Sequence, residues 1–178
     1  MEPIKRSLPS EIGGSGKLLR GLIPYNSPTL ITERGRTFTE VIRPGAFIRA
    51  GQAPRDVVST FNHSLDRLLG RTSSGTLRLT ETPAGLAYEV DLPEAAADVR
   101  ELLARGDLKG SSFTAFARKD GEKWSKDVRE LTGLDLVEVG PVVLPAYPDS
   151  SASIRSAEAA PASAGRRALA LLGLMARS

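Results

Sequence analysis

Short runs in which apolar and polar residues alternate, each closed by glycine or proline, constrain this chain more than any other feature. Period two sends alternate side chains to opposite faces, so each run reads as a half-buried β-strand. The clearest pair is residues 76–80 and 86–92. They flank Glu81-Thr82-Pro83-Ala84-Gly85 and put Leu86, Tyr88, Val90 and Leu92 on one face, the pattern of a hairpin. Residues 17–24, 37–42, 56–63, 109–118 and 134–143 also read as strands. Helical spacing appears where Pro93 opens a segment, Val99, Leu102 and Leu103 follow i, i+3, i+4, and Gly106 stands at the C-cap. The expected fold is therefore α+β, a mostly antiparallel sheet or β-barrel with a few helices outside it.

Residues 1–16 are polar, end in Gly13-Gly14-Ser15-Gly16, and read as a flexible lead. Residues 17–155 form the expected folded domain. Residues 156–178 read as an Ala/Ser/Pro linker followed by a short basic amphipathic tail. A chain of 178 residues is long enough for one sizeable core. The opening Met1-Glu2-Pro3-Ile4-Lys5-Arg6 lacks the apolar run of a signal peptide, and the longest apolar run, 168–176, is too short to span a bilayer. A cytosolic protein with no membrane partner is expected.

Composition removes several chemistries. With no cysteine there are no disulfides, thiol nucleophiles or thiolate metal sites, and a single histidine leaves no usual zinc set. No cofactor is expected. The net charge of +3 is small and lacks any Lys/Arg block, so no specific nucleic-acid surface is indicated. Gly13-Gly14-Ser15-Gly16-Lys17 lacks the spacing of a phosphate-binding loop, and the acids show no diagnostic carboxylate pair.

Three residues stand out as candidate catalytic groups. Ser112 lies in Gly110-Ser111-Ser112-Phe113, in a strand that follows the helix and a glycine turn. It lacks the Gly-x-Ser-x-Gly elbow, and by itself it reads as an ordinary strand serine. His63 ends the run 56–63 just before the polar Ser64-Leu65-Asp66-Arg67. A neutral imidazole is the usual activator of a serine hydroxyl, and no other histidine exists to fill that role. Glu138 stands in an otherwise apolar strand, where an unpaired carboxylate would be costly to bury. It is either ion-paired to an arginine or the group that orients His63. Asp66 and Asp135 are rivals for the second role.

Several blocks, taken together and in order, resemble the prohead (capsid maturation) serine protease family of tailed phages. They are Gly21-Leu22-Ile23-Pro24-Tyr25-Asn26, Glu40-Val41-Ile42-Arg43-Pro44-Gly45-Ala46-Phe47, Phe61-Asn62-His63 with Leu69-Gly70-Arg71, Arg105-Gly106-Asp107-Leu108-Lys109-Gly110-Ser111-Ser112-Phe113, and Leu136-Val137-Glu138-Val139 with Pro145-Ala146-Tyr147-Pro148. The resemblance runs from about residue 18 to 155 and implies Ser112 as nucleophile, His63 as base and Glu138 as the acidic member. It implies a fold similar to the herpesvirus assembly proteases, a β-barrel ringed by helices. It also implies a serine endopeptidase that cleaves the major capsid protein precursor or its scaffolding segment, and itself, inside the immature capsid in the bacterial cytoplasm. Self-association belongs to the same expectation. Two positions depart from the family pattern: Thr114 where glycine is usual two residues after the nucleophile, and Gly140 where serine is usual after Glu-Val. Thr114 leaves open an alternative, a catalytically impaired structural or assembly module of the same fold.

Overall fold

The computed structural model describes residues 3–9, 12–47, 55–108 and 110–144. The tail at 156–178 and the block Pro145-Ala146-Tyr147-Pro148 lie outside the described residues.

The strands among the described residues, numbered in chain order, form three sheets. The first runs β1 (Ile4–Pro9), β10 (Gly110–Ala117), β13 (Leu134–Val142), β6 (Val58–Phe61) and β7 (Ser64–Arg71). The second runs β2 (Ile12–Ser15), β3 (Leu18–Pro24), β9 (Gly85–Asp91) and β8 (Leu77–Thr82). The third runs β11 (Glu122–Ser125), β12 (Val128–Leu131), β5 (Arg36–Ile42) and β4 (Thr29–Glu33). Neighbours are antiparallel except β6 with β13 and β5 with β12, which are parallel.

This architecture corrects the expected α+β barrel. Among the described residues the protein is mostly β, with one short helix, and none of the sheets closes into a barrel. The physical reason is that alternation specifies a strand and its buried face, whereas closure needs every edge strand to find a ladder partner. Here each sheet keeps two edges, and the sheets meet through side chains: β10 packs on β3, and β7 on β9, without pairing. The lead at 1–16, read from sequence as flexible, instead contributes β1 and β2.

One core lies between the sheets. Phe113, Leu134 and Val139 of the first sheet and Leu19, Ile23, Tyr88 and Val90 of the second are fully buried, and Phe47 packs edge-on against Phe113 at 5.2 Å between ring centroids. Burying a side chain the size of Phe113 is worth about 3 kcal/mol. The helix α1 (Ala97–Arg105) follows a 3₁₀ turn at Glu94–Ala96 and packs Val99, Leu102 and Leu103 onto this core. Gly106 ends it at φ +74°, a conformation that side chains disfavour, and the N–H groups of Gly106 and Asp107 cap Leu103 and Leu102. β10 begins four residues beyond this cap, at Gly110.

Candidate active site

Ser112 sits in the middle of β10, whose alternation is masked because seven of its eight residues are buried. Its partner strand β13 is the centre of the first sheet, with β10 on one side and β6 on the other. Ser112 faces Gly140 in register, and Thr114 faces Glu138. Gly140 must be glycine here: a Cβ would lie 2.0 Å from the Thr60 carbonyl oxygen of β6. The close approach of β6 to β13 therefore explains why this chain departs from the usual serine at that position.

His63 does not extend the β6 strand, as its place at the end of an alternating run suggested. β6 stops at Phe61, and Asn62 and His63 form a two-residue turn with φ of +52° and +59°. Left-handed backbone is uncommon outside glycine, although Asn and His enter it more readily than most, and such residues concentrate at functional sites. The turn is fastened to β13. Asn62 N–H donates to the Pro141 carbonyl at 3.1 Å, and Val143 N–H donates to Asn62 Oδ1 at 2.9 Å. The polar Ser64-Leu65-Asp66-Arg67 opens β7.

This placement brings the three candidates together. Ser112 Oγ lies 2.5 Å from His63 Nε2, and His63 Nδ1 lies 2.6 Å from Glu138 Oε2. An ionised carboxylate only accepts, so Nδ1 carries the proton and Nε2 presents its lone pair to the Ser112 hydroxyl. Glu138 is buried, with 7% of its surface exposed. Desolvation acts to raise its pKa, but the bonds from His63, Thr60 and Thr114 outweigh burial and hold the carboxyl below its ordinary range. Thr60 Oγ1 donates to Oε1, and Thr114 Oγ1 donates to Oε2 at 2.7 Å.

The rival acids are placed elsewhere. Asp66 is exposed on β7. Asp135 accepts from Arg118 Nε at 2.9 Å and faces Arg55 at 3.7 Å. Sequence reading missed Thr60, Asn62 and the part played by Thr114. A buried carboxylate requires donors, which was a signal that such residues exist, but their identity depends on strand register. Thr114, suspected of intruding on the nucleophile, directs its hydroxyl to the carboxylate.

Two further contacts complete the surroundings. Ser111 Oγ lies 2.8 Å from the hydroxyl of the buried Tyr88, fixing the residue before the candidate nucleophile to the second sheet. Ser112 Oγ also lies 2.8 Å from the Arg6 carbonyl oxygen of β1. Among the described residues no group of three or more His, Cys, Asp or Glu side chains could hold a metal ion.

A hydroxyl, an imidazole and a carboxylate joined in series have the geometry used by serine hydrolases to make a nucleophile. The chain belongs to the caudovirus prohead serine protease family, whose description matches residues 21–163. No curated protein and no solved structure matches it. The family makes this a phage prohead protease, a hydrolase of capsid maturation, and implies association with the capsid precursor within the procapsid in the host.

Proposed function

We propose that the protein is a serine endopeptidase in which Ser112 is the nucleophile, His63 the general base and acid, and Glu138 the group that orients and stabilises the imidazole. The observation that carries this reading is the unbroken series Ser112 Oγ, His63 Nε2, His63 Nδ1, Glu138 Oε2, with links of 2.5 and 2.6 Å. Ser112 Oγ attacks a peptide carbonyl while its proton passes to Nε2. The imidazolium so formed is stabilised by Glu138, and Nε2 then returns the proton to the leaving amine. Water repeats the sequence on the acyl-enzyme and frees Ser112. Buried neutral donors keep the carboxylate ionised beside the ring throughout.

The substrates on this reading are the major capsid protein precursor or its scaffolding segment, together with sites within the protease chain. The test is co-expression with the capsid precursor, comparing wild type with Ser112→Ala by intact mass. The precursor is trimmed by wild type and left whole by the variant. Equal trimming in both would remove Ser112 from the mechanism.

A further inference from the structure

Ser112 has no exposed surface, a condition under which no substrate carbonyl can reach it. What lies against it is β1, an edge strand whose only ladder partner among the described residues is β10. Ser7 stands opposite Ser112, Arg6 stands opposite Phe113, and the Arg6 carbonyl oxygen meets Ser112 Oγ at 2.8 Å. The hydroxyl owns one proton. Given to the Arg6 carbonyl, it is withheld from the His63 nitrogen that must remove it.

The Arg6 side chain is equally well housed. Its Nε lies 2.6 Å from Glu40 Oε1, and its Nη2 lies 3.1 Å from Glu40 Oε2 and 3.4 Å from Glu33 Oε2. Arg129 also reaches Glu40 at 3.2 Å, Glu33 at 3.7 Å and Glu122. Towards the start of β1, Pro3 and Ile4 line an open cleft of about 390 Å³, with Trp124, Glu122, Arg34 and Arg36 on its other walls. An extended segment thus lies against the nucleophile, with a carbonyl at Ser112 and a cation held between Glu40 and Glu33. Residues 4–9 fall outside the span matched by the family, so this feature stands on the geometry alone.

We propose that the β10 edge beside Ser112 is the peptide-binding site, that β1 occupies it as a built-in competitor, and that Glu33 and Glu40 form a subsite for a basic side chain of the substrate. Strand addition supplies the backbone bonds, and the acidic subsite selects arginine or lysine at the residue whose carbonyl meets Ser112. Release of β1 uncovers Ser112 and frees the pocket. This inference rests on the protease reading of Ser112.

The experiment measures the rate at which a fluorophosphonate ester labels Ser112 in the full chain, read by intact mass. Arg6→Ala loosens β1 and is expected to label at least about tenfold faster than wild type, because the competent fraction rises. A peptide of residues 3–9 added to that variant slows labelling. Its Arg6→Gln counterpart is at least about tenfold weaker, the cost of removing one partner of a desolvated ion pair. Should Arg6→Ala not fold, the register pair Ile4→Cys/Ala115→Cys serves in a chain that has no other cysteine. Oxidation then slows labelling, and reduction restores it. Equal rates in folded Arg6→Ala and wild type, or indifference of the cysteine pair to oxidation, overturns this inference alone. Absence of labelling in every form, the reduced pair included, overturns the protease reading with it.

Discussion

Glu138 and Glu40 are two carboxylates buried in mid-strand, 7% and 3% exposed, and their surroundings could hardly differ more. Glu40, on β5, is gripped by the guanidinium groups of Arg6 and Arg129, cations at every accessible pH. Glu138, on β13, meets two threonine hydroxyls and a histidine. While β1 is seated, two permanent cations neutralise Glu40. On the proposed mechanism, the donors around Glu138 leave its charge available to a ring that gains a proton during turnover. A fixed ion pair suits anchoring a strand, and a carboxylate among neutral donors suits catalysis.

Removing each charge in turn separates the two acids. Glu138→Gln is expected to lower kcat by about 10³–10⁴-fold, since the amide neither stabilises the imidazolium nor fixes the tautomer. Its thermal melting should change far less than its rate of peptide cleavage. A variant retaining near-normal kcat would show Glu138 to be another structural acid. Glu40→Gln should act through β1 instead. Leaving Arg6 and Arg129 short of a buried partner costs about 3 kcal/mol, measurable by denaturant unfolding, and loosens β1, while the pH dependence of cleavage keeps its shape.

The smallest effect separates the supporting hydroxyls from mere packing. Glu138 has a lowered pKa, so its contribution to stability is fully present above about pH 4.5, the ordinary value, and is lost as pH falls through the lower folded value. Thr114→Val removes one of the bonds that lower it, at a cost of about 1.5 kcal/mol. The acid limb of both activity and stability should then move to higher pH, and Thr114→Ser should move it back. An unshifted limb, followed by pH titration of cleavage and of unfolding, would reduce Thr114 to a spacer.

Sequence alone singled out the three residues that the structure brings together, and carried less of the fold. Glu138 was legible because a carboxylate interrupts an apolar run, yet Glu40 precedes Val41-Ile42 in a similar setting and drew no notice. The two differ in partners, and partners are set by register: Arg129 faces Glu40 across β12 and β5, and Thr114 faces Glu138 across β10 and β13. Local pattern cannot show pairings between residues so far apart in the chain. The same limit hid β1, whose partner lies about a hundred residues away, and allowed a barrel to be expected where three open sheets stand. By contrast, α1 and the β8–β9 hairpin depend on neighbours in sequence and were read closely.

The central place of β13 also has a consequence for the timing of synthesis. A ribosome releases His63 first and Ser112 next, but the strand that stands between their supports, and that carries Glu138, comes last. Until β13 inserts, β10 and β6 have no common neighbour to hold serine against histidine. Long-range pairings of this kind form late, after the local hairpin and helix. On the proposed reading, a growing chain cannot cut until β13, the last strand among the described residues, brings serine, histidine and carboxylate together.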